Sequence, residues 1–146
     1  MSTIRVFNPK AVFVPAIADL FRRGFADSPV VPGGFDEAIH EFVNIIQDPK
    51  SGVFLASEDA TPVGFLIVSL PRNALVPYPQ VLHLYSEGKP KVAEGLIDMG
   101  LAFITSHGYT RFWALNASRK PDEVWMRALR HAGVATPLAT LMEFEV

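Results

Sequence analysis

The chain has 146 residues, no cysteine and 49% apolar residues, which fits one domain around one substantial core and leaves no disulfide, thiolate metal site or catalytic thiol. Thirteen Lys and Arg against fifteen Asp and Glu give a formal net charge of −2, so a globally basic chain that coats nucleic acid is disfavoured. No signal-peptide pattern opens the chain, and apolar runs such as Phe65 to Leu70 fall far short of the roughly 20 residues a membrane span needs; a soluble, cytoplasmic protein is expected.

No internal repeat or low-complexity stretch interrupts the chain. A first strand is expected over Thr3 to Phe7, stopped by Asn8-Pro9. Ile17, Leu20, Phe21 and Phe25 recur at helical spacing, and Pro15 is tolerable only in a first turn, so a helix starts near Pro15. After a loop over Asp27 to Gly34, a second helix sets Phe35, Ala38, Ile39, Phe42, Val43 and Ile46 on one face and ends at Asp48-Pro49. Gly52 to Ser57 and Pro62 to Leu70 read as a hairpin around Glu58-Asp59-Ala60-Thr61. Both strands are apolar on both faces, the mark of central strands covered on each side. Gln80 to Ser86 is a further strand, and Gly88 opens a loop into a helix from about Lys91 to Ser106 that ends at His107-Gly108. Tyr109 to Asn116 reads as a strand, Pro121 to Ala132 as a helix stopped by Gly133, and Leu138 to Val146 as a last strand with Glu143 and Glu145 on its wet face. The order β-α-α-β-β-β-α-β-α-β implies an α/β fold with a mixed central sheet, helices on both faces and a ligand crevice where strands splay.

Neither G-x-x-x-x-G-K-[ST] nor G-x-G-x-x-G is present, so P-loop and Rossmann readings fail on their residues. Ser86 stands at a strand-to-helix turn but lacks the Gly two residues earlier that a nucleophile elbow requires; Leu84 is there. The four histidines are scattered, and Asp36 and His40 alone share a helical face, as a solvated pair would, so no metal is expected. Charge is uneven along the chain. Lys89 to His131 holds seven Lys and Arg against four Asp and Glu, a local net of +3, which leaves −5 for the remainder. Within that basic part Gly88-Lys89-Pro90-Lys91-Val92-Ala93 runs straight into a helix N-terminus, where free N–H groups and the dipole favour an anion. Lys89 and Lys91 add positive charge; two solvated lysines are the plainer alternative.

Over nearly its whole length the chain resembles the GNAT family of acyl-CoA-dependent N-acetyltransferases. The element order, the run Asp59-Ala60-Thr61-Pro62-Val63-Gly64-Phe65 and the helix leading to Gly108-Tyr109 carry the resemblance. The family's cofactor motif, Q/R-x-x-G-x-G/A, falls on Gly88, Lys91 and Ala93, so only the last small residue is kept, and the loop is about three residues short. The resemblance implies acetyl-CoA as co-substrate, with its pyrophosphate on the stretch Lys89, Pro90, Lys91, Val92, Ala93 and Glu94, through its backbone N–H groups, and its pantetheine paired like an added strand with Leu84, Tyr85 and Ser86. It also implies a backbone N–H near Tyr85 at the thioester oxygen, and Asn116 as a further pantetheine contact. Arg119, Lys120 and Arg127 are placed toward a 3′-phosphate, or in solvent.

An acceptor amine is protonated near pH 7, so a base or water must free its lone pair. His83, polar in an apolar run and titrating in the useful range, is the first candidate, with a purely structural histidine as the alternative. Glu87 is the second. Where many family members carry a Tyr as general acid, four residues before the Gly that ends the last helix, this chain has Leu129; Tyr85, Ser86 or water is left for that role. His131 lies about 200° further round the helix and suits its C-terminal dipole instead. Trp113 and Trp125 fit packing positions. The reading is thus an N-acetyltransferase of a small-molecule or protein amine, monomer or homodimer, engaging neither nucleic acid nor membrane. Its rival is a degenerate GNAT-fold protein that binds CoA or a protein partner without turnover, and a weaker one is a regulatory scaffold. The acceptor site is expected between the first two helices, the loop Asp27 to Gly34 and the connection Pro71 to Pro79, whose acidic balance hints at a cationic acceptor.

Overall fold

The computed structural model describes residues 3–9, 15–25, 40, 43–114, 124–133, 136, 138, 142 and 144–146. A five-stranded sheet runs in the order β1-β2-β3-β4-β5, formed by β1 (Ile4–Phe7), β2 (Ser51–Glu58), β3 (Thr61–Ser69), β4 (Gln80–Tyr85) and β5 (Trp113–Ala114). The helices are α1 (Pro15–Phe25), α2 (helical at residues 40 and 43–47), α3 (Pro90–Ser106) and α4 (Val124–Ala132). Neighbouring strands are antiparallel from β1 to β4, and β5 joins β4 in parallel. The sheet is therefore mixed, as the strand and helix alternation predicts.

β2 and β3 take the middle of the sheet because neither has a wet face. On one side Phe54, Ala56, Leu66 and Val68 meet Val92, Leu96, Ile97 and Ile104 of α3. On the other Val53, Leu55, Phe65 and Ile67 meet Ile17, Leu20 and Phe21 of α1, with Ile45 and Ile46 of α2 at the margin. Phe21 meets Phe65 edge-on, ring centroids 4.8 Å apart, which fastens α1 to the centre of β3. Burying one such side chain is worth roughly 1.5–3 kcal/mol, so both helices are held by several contacts of that size. The hairpin closes as its polar turn predicts: Glu58 pairs with Thr61 around Asp59 and Ala60 at φ 49° and 68°, the left-handed pair whose twist matches the strands.

One expectation is trimmed, one is corrected, and the expected start of the last helix, 121–123, lies outside the described residues. The strand over Tyr109 to Asn116 contracts to Trp113–Ala114, with 115–116 outside the described residues. The helix expected from Pro121 is described from Val124. The last strand, expected over Leu138 to Val146, is not found: the described residues of that segment belong to no strand, and Leu138, Met142 and Phe144 are 70%, 67% and 77% exposed. No helix among the described residues is long and apolar enough to cross a membrane.

Candidate active site

β4 departs from regular pairing where its chemistry lies. Ile67 faces His83 and Val68 faces Val81, so Leu82 is an extra residue, a β-bulge. Strict alternation would send His83 to the same face as Val81, into the core under α3. The bulge turns it over. Leu82 packs in the core under α1, and His83 follows it there, its ring stacked on Phe65 at 5.6 Å and 9° and its Nε2 3.2 Å from the Gly24 carbonyl of α1. A carbonyl can only accept, so Nε2 donates and the neutral ring keeps its lone pair on Nδ1. Burial pushes the His83 pKa below the ordinary imidazole value, and the Gly24 carbonyl pulls weakly the other way. The ring is thus neutral at pH 7.

The outer edge of β4 is paired to β5 only at Gln80 and Val81. Among the described residues no further strand pairs with the edge from Leu82 to Tyr85, where β4 ends. It leads to the N-terminus of α3 through a tight turn, closed by a 2.9 Å bond from Lys89 N–H to the Ser86 carbonyl and with Glu87 and Gly88 at φ 50° and 71°. Pro90 occupies the first turn of α3, and no side chain caps it. Because the Ala93 N–H returns to the Lys89 carbonyl at 3.1 Å, the amides of Lys91 and Val92 are the first-turn donors left without an intrahelical acceptor.

No family model and no curated protein matches this sequence. Solved structures do match over nearly the full length. An aminoglycoside N-acetyltransferase in complex with CoA is similar with a TM-score of 0.74 and 15% identity, covering 100% of this chain and 97% of that one. A ribosomal-protein-alanine N-acetyltransferase from Brucella melitensis biovar Abortus 2308 gives 0.70 and 20%, over 97% and 99% of the two chains. A GNAT family acetyltransferase from Staphylococcus aureus gives 0.64 and 10%, over 98% of each. The chain has the GNAT acetyltransferase fold.

On that GNAT frame the residues singled out from sequence separate into groups. Leu84 packs into the α3-side core, Tyr85 lies on the α1 face with its ring 5.9 Å from Phe65, and Ser86 is buried. Glu87 is not a lone carboxylate: Arg23 at the end of α1 donates to it, and Arg23 Nε also lies 3.3 Å from Asp19. Lys89 Nζ donates to Glu58 at 3.1 Å. Lys91 has an 85% exposed side chain, 3.7 Å from Glu94. Arg23 was passed over in the sequence, where a basic pair at a helix end signals only the dipole. Asn116, Arg119 and Lys120, like the side chain of Trp125, lie outside the described residues, and Arg127 is exposed. Leu129 packs against the α3-side core, so no hydroxyl occupies that helix position. His131 does more than meet the helix dipole, standing 2.9 Å from Asp98 of α3. Trp113 packs edge-on against Tyr78. Among the described residues no group of three or more His, Asp or Glu is placed to hold a metal ion.

At the opposite end of β4 from the α3 N-terminus, a cavity of about 330 Å³ is walled by the end of α2, Ser51, Ser69, Arg72 and Leu82. Arg72 Nη2 bonds Asp48 and, at 3.0 Å, Ser51 Oγ. Asp48 also accepts the Lys50 N–H at 2.9 Å, and this amide first, then the Arg72 guanidinium, holds its carboxyl below the usual carboxylate range.

Proposed function

We propose that this protein is an N-acetyltransferase that moves an acetyl group from acetyl-CoA directly to an amine. What carries the reading is the edge of β4, paired among the described residues only at Gln80 and Val81, together with the uncapped start of α3 that follows it. An extended arm can add to that edge as a strand does, with an anionic end on the Lys91 and Val92 amides. The fold shared with N-acetyltransferases supports it. His83 Nδ1 takes one proton of the ammonium, the freed nitrogen attacks the thioester carbonyl, the C–N bond forms, and as the C–S bond breaks the nitrogen sheds its second proton to the group that protonates the thiolate. A backbone N–H near Tyr85 meets the charge developing on the carbonyl oxygen, and Tyr85, Ser86 or water returns a proton to the thiolate. Glu87, already bonded to Arg23, serves to tie the turn before α3 to α1.

Acetyl-CoA should raise the melting temperature, since a ligand of the native state alone adds RT ln(1 + [L]/Kd), about 2.7 kcal/mol at a hundredfold excess over Kd. A flat melt and calorimetric trace at millimolar acetyl-CoA would remove the proposal. Leu129 in the position of a catalytic Tyr favours one other reading, a CoA-binding protein without turnover; a melt shift with no thiol release across amines would select it. Lys91→Ala is expected to weaken CoA binding about ten- to a hundredfold, the worth of a charge-assisted contact, and less at high salt. Lys91→Gly separates contact from obstruction: tighter binding than wild type means the lysine stands in the way of the phosphate.

A further inference from the structure

We infer that the cavity at the start of β4 receives the acceptor, and that the acceptor is a small amine that also carries a carboxylate, held by Arg72. The inference rests on the acetyltransferase reading and adds to it the substrate class. Its first support is place. Leu82 lines the cavity, and the bulge that sets Leu82 on the α1 face sets His83 on the same face beside it. A molecule in the cavity therefore touches the residue that precedes His83, on the face of β4 that carries its ring. Leu82, which lines the cavity, stands three residues before the end of β4 at Tyr85, so at about 3.3 Å per residue roughly 10 Å of strand runs from the cavity toward α3. A co-substrate lying along the edge would bring its two ends to opposite ends of β4, anion at α3 and acetyl group toward the cavity.

The second support is charge. Among the described residues Asp48 is the one carboxylate lining the cavity, and it is already answered by Arg72 and by the Lys50 amide. A polycation would have to compete with Arg72 for it. Arg72, in contrast, directs only Nη2 at protein acceptors among the described residues. Its Nε and Nη1 keep three N–H groups, on separate edges of the guanidinium, each able to donate a single bond to an anion. Arg72 also lines a second, smaller cavity of about 130 Å³. Ser51, Ser69 and Asn44 add uncharged donors and acceptors around it. A volume of about 330 Å³ is at the small end of ligand sites, the scale of a free amino acid. The acidic balance of the sequence hints at a purely cationic acceptor; the Asp48–Arg72 pair reverses that hint locally.

The test uses calorimetry on the full chain, with and without acetyl-CoA. Small, acidic, basic and aromatic L-amino acids are each compared with their own carboxamides, which keep the amine and lose the carboxylate, and with spermidine. At least one amino acid should bind about ten- to a hundredfold tighter than its carboxamide, the span of a charge-assisted bond. Arg72→Gln should erase that margin and, by leaving Asp48 without its cation, tighten spermidine. Arg72→Lys, which keeps the charge without the additional N–H groups, should keep part of the margin and separates loss of recognition from loss of fold. Carboxamides or spermidine binding wild type as well as the amino acids overturns the inference, as does a panel in which nothing binds or a margin that survives Arg72→Gln. The acetyl-CoA melt shift is a separate readout: its absence sinks the acetyltransferase reading, while the carboxylate margin is measured without acetyl-CoA.

Discussion

Replacing His83 with alanine is expected to lower turnover of a competent amine about 10²- to 10⁴-fold, the usual worth of a positioned base, with acetyl-CoA affinity nearly unchanged. The wild-type rate should hold on acidification to a pH below the ordinary imidazole value near 6.5 before it falls, because burial keeps the ring neutral. That acid limb should vanish in the variant. The same shift has a stability signature. With its folded pKa below its unfolded one, His83 binds fewer protons in the native state, so stability is full above about 6.5 and is lost as pH falls through that value toward the folded pKa. His83→Ala should flatten this part of the melting profile. Unchanged kinetics would pass the role to Glu87 or water, and a collapsed melt at every pH would mark a structural histidine.

Side chains whose place follows from local pattern were legible in the sequence; those placed by distant partners were not. The double-faced apolar runs of β2 and β3, the two left-handed residues between them and the Gly108 stop of α3 all act within a few residues, and each stands where its pattern puts it. The bulge at Leu82 has no such signature. Gln80 to Tyr85 reads as a plain strand, and only pairing with β3 shows that one residue is extra. Everything about His83 follows from it: the face, the Phe65 stack and the Gly24 carbonyl. Glu87 is similar, since its Arg23 partner is 64 residues away. Arg72 was hidden within the connection Pro71 to Pro79, a stretch named as acceptor wall for lying outside the cofactor motif, with no sign that its guanidinium would reach back to Asp48 and Ser51.

Gly24→Ala should destabilise the fold and loosen the hold on His83, against the ordinary preference for alanine in a helix. That preference is worth about 1 kcal/mol. Opposing it, a Cβ at residue 24 would lie 2.6 Å from Cζ of Phe65 and 3.1 Å from Cγ of Tyr85, the first about 1 Å inside a comfortable carbon contact. Phe65 is fully buried and wedged against Phe21, so its ring has nowhere to turn and α1 must lift. Overpacking of this kind costs typically 1–3 kcal/mol, occasionally more, and the shortness of the contact places it at the upper end. A net loss of about 1–2 kcal/mol follows, a drop of roughly 2–8 °C for a chain near this size. The lifted helix also exposes the His83 ring to water and withdraws the Gly24 carbonyl. Desolvation is the larger influence on that ring, so its pKa should move up toward the ordinary imidazole value, visible in an NMR titration. Gly95→Ala is the matched control. It lies inside α3, and its Cβ would meet only Val6 Cγ2 at 3.2 Å, on a four-residue first strand that can give by a few tenths of an ångström; helix preference then prevails, and the melt should hold or rise. If Gly24→Ala also holds or rises with no change in the His83 titration, then α1 does not press on Phe65, and the closed, neutral setting assigned to His83 is wrong.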